Sequence, residues 1–259
     1  MLPAMRRARI IELIRRDGMA ALKDLSDALG VSVSTLRRDV EYLCDSGHLE
    51  RTHGGAMLAV NRTQGFEPAH EIAEATESEA KRAIGRRAAE LIQPGQTVIF
   101  DSGTTTAAAA QAAAGRGVSF TAFTNDLGIA QTLSACPSVQ TYVSGGVVRP
   151  GSATLIGSGA LQSLQRLRAD VAFVGTHAMT PEVLSDTSIE LAEIKRAILA
   201  SAEKVVLLVD SSKIFSRAFC EFGRTTDVSL LVTDSRLGSD ARAELGSRKV
   251  PVELSAEVA

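Results

Sequence analysis

Apolar residues recur along the first third of the chain with helical spacing. Ile10, Leu13 and Ile14 follow an arginine-rich turn, and their period predicts a helix over about Met5–Asp17 that Gly18 ends. Leu22, Leu25 and Leu29 share one face of a second, shorter helix over Leu22–Leu29, closed by Gly30. Ser32 can cap a third helix running to about Ser46, in which Val33, Leu36, Val40 and Leu43 fall on one side. Ser34, Arg38 and Glu41 point the opposite way, with Thr35, Arg37 and Tyr42 beside them. Gly47 stops this helix. Leu49–Arg51 and Ala56–Leu58 then read as a hairpin around Thr52-His53-Gly54-Gly55.

The pattern changes after a polar stretch at 59–70, which reads as a linker. A long helix is expected from Glu71 to Ile92. Short apolar runs then alternate with helices. Strands are predicted at Thr97–Phe100, Val118–Phe123, Val139–Val143, Asp170–Gly175, Val205–Val209, Val228–Val232 and Val250–Leu254, with helices at Thr105–Ala114, Asp126–Ala135 and Ser188–Ser201. Such alternation implies a parallel sheet covered on both faces. The expected organisation is a domain at 1–58, the linker, and an α/β domain at 71–259.

Composition excludes some classes. The chain has 259 residues, 45% hydrophobic and 22% charged, which fits a folded globular protein. No apolar run is long enough for a bilayer span and no signal-peptide pattern is present, so a cytoplasmic protein with no membrane partner is expected. Cys44, Cys136 and Cys220 are scattered, and the four histidines show no ligand spacing, so neither a disulfide framework nor a metal site is expected, and no cofactor. The formal charge of −2 does not mark a nucleic-acid binder. Residues 1–60 carry nine Lys/Arg against eight Asp/Glu, a weak excess, so the placement of the arginines on the third helix matters more.

A short helix that buries one stripe and presents hydroxyls and adjacent arginines on the other suits insertion into the major groove. There arginine bonds guanine edges or phosphates. Arg37 and Arg38 alone would be an ordinary solvated pair. The preceding helix and the glycine hairpin bearing Arg51 and His53 reverse that reading.

From Arg9 to Ala56 the chain resembles the DNA-binding domain of the DeoR family of bacterial repressors. The residues that carry the resemblance are Val31-Ser32, Thr35-Leu36-Arg37-Arg38-Asp39-Val40, Leu43, Gly47 and Leu49-x-Arg51-x-His53-Gly54-Gly55-Ala56. It implies a winged helix-turn-helix in which Arg37 and Arg38 contact DNA with Ser34 and Thr35 close by. Asp39 is expected to cap or to pair with an arginine. Arg51 and His53 would reach phosphate or the minor groove, although His53 is as readily a turn residue without a contact.

Residues 71–255 resemble the sensor domain of the same family, similar in fold to ribose-5-phosphate isomerase. That implies a phosphorylated sugar-like effector. The residues permit a physical check. Thr97–Phe100 leads into Asp101-Ser102-Gly103-Thr104-Thr105-Thr106, a strand, tight loop and helix start. Helix N-termini offer unpaired amides to anions, Gly103 permits close approach, and the hydroxyls add donors. Asp101 would repel phosphate and so should face ligand hydroxyls. Thr124-Asn125 and Gly145-Gly146 follow two further strands at the end where open α/β sheets bind ligands. Asp210-Ser211-Ser212-Lys213-Ile214-Phe215 resembles the family's Asp-x-Ser-Lys-Phe segment, with Ile214 intervening, and Lys213 would supply a cation. Two departures stand out. Glu190 and Glu193 bracket Leu191-Ala192 ahead of Lys195-Arg196, where the family usually carries one Glu. Gly175-Thr176-His177-Ala178-Met179 lacks a second glycine.

The expected function is a transcriptional repressor of sugar-metabolism genes, a homodimer or homotetramer on double-stranded operator DNA. The alternative is a sugar-phosphate isomerase using Asp101, Glu190 and Lys213 as acid–base groups. Residues 1–58 argue against the enzyme, and no nucleotide-binding or G-x-S-x-G motif occurs.

Overall fold

Ile10, Ile14, Leu25, Leu36, Leu43 and Leu49 converge in one small core, fully buried. They come from α1 (Pro3–Asp17), α2 (Leu22–Leu29), α3 (Val33–Asp45) and β2 (Leu49–Arg51). The computed structural model describes residues 1–59 and 70–256, so the expected linker falls, apart from its ends, outside the described residues. Contacts divide the chain into Met1–Ser78 and Glu79–Ala259.

The helices of the first unit lie within a residue or two of their predicted limits, because caps mark them. The Ser32 hydroxyl accepts from the Thr35 amide at 3.2 Å, and Gly30 closes α2 in the left-handed conformation. The hairpin is a three-stranded sheet rather than two strands. β3 (Gly55–Leu58) pairs antiparallel with β2 on one side and with β1 (Met19–Ala21) on the other. The short β1 has no alternation of its own, so it was not legible. It explains Gly55: a side chain there would collide with the backbone of Ala20 and Ala21. Val33 is a second correction. It was expected in the core but is 39% exposed, and Asp39 takes a buried place on α3 instead.

The long helix expected over 71–92 is two helices, α4 (His70–Ala75) and α5 (Ser78–Glu90). Between them the Thr76 hydroxyl donates to the Ile72 carbonyl at 2.8 Å, and Glu77 adopts φ 54° with its amide donating to the Glu12 carboxylate at 2.8 Å. Side-chain bonds of this kind compete with helix continuation. Ile72 joins the first core, so α4 packs with α1 and does not begin the α/β unit.

The second unit is a seven-stranded, wholly parallel sheet. Its strands are β4 (Thr97–Phe100), β5 (Phe120–Thr124), β6 (Val139–Val143), β9 (Ala169–Gly175), β12 (Ala202–Leu208), β14 (Leu230–Thr233) and β15 (Val252–Leu254), in the order β15-β14-β12-β9-β4-β5-β6. Every one was predicted, with ends shifted by up to three residues. Alternation sends neighbouring side chains to opposite faces. Val98, Phe100, Phe173 and Leu208 meet α5, α6 (Thr104–Ala114) and α7 (Leu127–Ser134) on one side. Ile99, Ala172, Val174 and Leu207 meet α8 (Ser158–Gln165), α9 (Ile189–Ala200) and α10 (Ser239–Ser247) on the other. A hairpin of β7 (Val147–Val148) and β8 (Leu155–Ile156) and a small antiparallel sheet of β10 (Ala178–Met179), β11 (Val183–Asp186) and β13 (Cys220–Arg224) were not anticipated. Their pairing depends on partners that no local period records. No helix among the described residues is long and apolar enough to cross a membrane.

Candidate functional site

On α3 the outer face is built as the wheel requires. Ser34, Arg37, Arg38 and Glu41 are exposed and Thr35 is half-buried. Arg37 and Arg38 have no intramolecular partner among the described residues. Asp39, directly after them, is buried and holds Arg6 at 2.5 Å and Arg7 at 2.9 Å from α1. Its expected pairing with arginine is thus observed. On the wing Arg51 sits 3.2 Å from Glu41, both half-exposed, which leaves Arg51 a weak partner in high dielectric. His53 is exposed at the tip beside Gly54. All six expected contact residues therefore belong to one small unit, on α3 and on the hairpin after it.

In the α/β unit the strand order carries the information that sequence lacked. From β4 the chain winds outward through β5 and β6, then crosses back to β9 and winds the other way through β12, β14 and β15. The reversal lies between β4 and β9, and a crevice opens at the carboxyl ends of strands at such a point. Asp101 stands at the end of β4, in register with the end of β9. Its Oδ2 accepts the Gly175 amide at 3.0 Å and the Lys195 ammonium, while Oδ1 is buried without a partner.

Lys195 is the principal residue that sequence reasoning missed. It is buried on α9, bonds Asp101 and the Gly175 carbonyl at 2.9 Å, and lies 3.5 Å from Asp186. Burial opposes its charge, but Asp101 and Asp186 outweigh that and hold the ammonium above its usual pKa. Burial pushes the Asp101 carboxyl up from the ordinary range, against the pull of Lys195. A signal was present: Lys195 shares the apolar stripe of Leu191, Ile194 and Ile198, where a lysine must find buried acids. Glu190 and Glu193 are exposed on the other faces of α9.

The loop after Asp101 folds as expected. Gly103 takes φ 126° at the head of α6, and the amides of the first turn have no helical acceptor. Ser102, Thr105 and Thr106 are buried and Thr104 is half-buried, but the Thr106 hydroxyl already donates to the Gly103 carbonyl at 2.8 Å. One strand over, Thr124 and Asn125 are buried. The Thr124 hydroxyl accepts the Asp126 amide at 3.1 Å, and Asn125 Oδ1 has no partner. Gly145 and Gly146 follow the outermost strand and are exposed. The close approach at Gly146 is to the carbonyl of Ile156, 2.5 Å from where a Cβ would stand. Lys213 follows β12, beside β9. Its partly accessible ammonium lies 3.4 Å from the Thr176 carbonyl and 3.8 Å from Asp210. The fold thus gathers the β4–α6 loop, Asn125, Lys195 and Lys213 at the carboxyl ends of adjoining strands. Gly145 and Gly146 lie at the sheet's edge.

Two family models match, a DeoR-like helix-turn-helix domain over residues 6–62 and a DeoR C terminal sensor domain over residues 76–235. A relative from Haloferax volcanii, the HTH-type transcriptional regulator GlpR, is 36% identical over 97% of this chain and 98% of its own. The glycerol-3-phosphate regulon repressor of Escherichia coli is 30% identical over 95% of this chain and 96% of its own. Among solved structures, ribose 5-phosphate isomerase A from Methanocaldococcus jannaschii is similar to 54% of this chain over 55% of its own, at 14% identity and a TM-score of 0.41. With both of its units matched, in order, by models of one family, the chain belongs to the DeoR family of DNA-binding transcriptional regulators.

Proposed function

We propose that this regulator is a cytoplasmic repressor whose hold on operator DNA is relieved by a phosphorylated sugar or sugar-like polyol. The observation that carries the reading is the pair of buried, unpartnered acceptors, Asp101 Oδ1 and Asn125 Oδ1, on neighbouring strand ends beside the open N-terminus of α6. A buried acceptor without a donor costs about 1–3 kcal/mol, so a ligand bringing hydroxyl donors to both is favoured. The amides of α6, with Ser102, Thr104 and Thr105, suit the phosphate, and the partly accessible Lys213 supplies a cation. Lys195 aims Asp101 through their hydrogen bond without meeting the ligand's phosphate itself. The regulon named for the Escherichia coli relative has the same chemistry, a phosphate on a short polyol.

On the DNA side, Ser34, Thr35, Arg37 and Arg38 read the major groove, and Arg51 and His53 of the wing meet the backbone or the minor groove. A homodimer or homotetramer places two such units on half-sites a whole number of helical turns apart. A coupling of about 1–3 kcal/mol between the sites changes operator affinity about 5–150-fold.

The test uses the full chain, a duplex it selects from a randomised pool, and a panel of sugar and polyol phosphates. A binder should raise the melting temperature and release the duplex, with no chemical change in the compound. Conversion of a sugar phosphate would favour the isomerase. Equal affinity for selected and scrambled duplexes, with or without the panel, would sink the proposal.

A further inference from the structure

Besides Arg51 of the wing, four arginines surround α3, and they are not equivalent. Arg37 and Arg38 project from its outer side. Arg6 and Arg7 reach it from α1 and share the buried carboxylate of Asp39. Arg6 is spent on internal contacts: Nε meets Oδ2 at 2.5 Å, Nη1 meets the Met1 carbonyl at 3.3 Å, and only 13% of the side chain is accessible. Arg7 is held differently. Its Nε donates to Asp39 Oδ1 at 2.9 Å, and its guanidinium carbon stacks 3.6 Å from the centre of the Tyr42 ring. Its two terminal nitrogens have no acceptor among the described residues, and the side chain is partly accessible. Three features therefore coincide: a fixed plane, a stacked face and two free parallel donors. Asp39 is shared between two cations, so the cluster keeps a net positive charge.

Its place on the helix gives this arrangement a use. At about 100° per residue, Tyr42 lies about 40° and Asp39 about 100° round α3 from Arg38, both towards Thr35. Arg7 therefore stands on the flank of the helix, beside the outer stripe. A helix about 10–12 Å across fills a major groove about 12 Å wide, so its flanks face the phosphate walls while its outer stripe faces base edges. A guanidinium with paired donors matches a phosphate, and one already oriented loses less freedom on binding.

We propose that Arg7 is a further DNA contact, a groove-wall phosphate clamp oriented by Asp39 and Tyr42. It rests on the reading of α3 as the recognition helix, and the experiment separates the two. Full-length protein is titrated by fluorescence anisotropy onto its selected duplex and a scrambled one, between 50 and 200 mM salt. Arg7→Met keeps the stem over Tyr42 and removes the charge. Affinity for both duplexes should fall by the same factor, and the log–log salt slope should become shallower by about 0.9. An unchanged slope overturns the clamp. Arg38→Ala should lower the preference for the selected duplex; if it does not, the recognition-helix reading fails whatever Arg7 does. Should Arg7→Met fail to fold, Tyr42→Leu and Tyr42→Phe replace it. The Phe variant keeps the stacked ring and should match the parent, while the Leu variant weakens both duplexes alike. Equal behaviour of the two overturns the inference.

Discussion

Arg38 on α3 and Lys195 on α9 are both cations placed on helices by sequence, yet their surroundings are opposite. Arg38 is exposed and unpartnered among the described residues, while Lys195 is buried and bonded to two acids and a carbonyl. The contrast follows from the ligands. A duplex is a polyanion, and exposed cations gain affinity by releasing its counterions, so they serve best unpaired. A small metabolite offers few contacts, so its site needs polar groups fixed in advance in a water-poor crevice. In the proposed site Lys195 is bonded to Asp101, while the Lys213 side chain stays partly accessible.

Removing Lys195 tests that contrast most severely. Lys195→Met would leave Asp101 and Asp186 buried without their cation. Breaking such a cluster costs about 3–5 kcal/mol, readable in urea melts of the full chain. A loss below about 1 kcal/mol would mean that the ammonium neutralises nothing important.

Acid should separate the two units next. Burial, with the charge of Arg15, lowers the His48 pKa from 6.5 to about 4. The unfolded chain therefore takes the proton first. The stability from neutral His48 is full above pH 6.5 and is lost progressively as pH falls towards 4. The loss amounts to about 3 kcal/mol at most. Melts of the DNA-binding unit from pH 7 to pH 4 should show this slope, and His48→Gln should flatten it.

Lys213→Ala sharpens the division between the two lysines. It should weaken a phosphorylated effector by about 1.5–3 kcal/mol, seen as a smaller ligand-induced rise in melting temperature, with duplex affinity unchanged. A normal response would move the phosphate elsewhere. Least costly is Ser32→Ala, which removes the cap of α3. It should lower the stability of the first unit by about 1 kcal/mol while leaving the salt slope of duplex binding intact, because Ser32 carries no charge.

The difference in legibility between elements has a physical origin. The helices α1 to α3 and the seven main strands each carry a period or a cap within a few residues, so local reading placed them. β1, the β10–β11–β13 sheet and the break at Glu77 depend on partners far along the chain, such as Gly55 for β1 and Glu12 for Glu77. Around the proposed site, Asp101, the α6 turn, Asn125 and Lys213 were expected on loops after strands, and they follow β4, β5 and β12. Lys195 was passed over: its place on the apolar stripe of α9 marks it as buried, but no local pattern names the acids that it meets.

The one-dimensional pattern of this protein was enough to determine an arginine-bearing helix in a compact three-helix unit and a glycine turn heading a helix in a parallel α/β unit, since both are set by contacts within a turn or two of chain. The reversal of strand order between β4 and β9, the buried pairing of Lys195 with Asp101 and Asp186, and the clasp of Asp39 on Arg6 and Arg7 were decided by tertiary structure alone. The bonds of Lys195 to Asp101 and of Asp39 to Arg6 and Arg7 join residues more than thirty positions apart, and the strand reversal depends on which strands lie side by side; no local period records either.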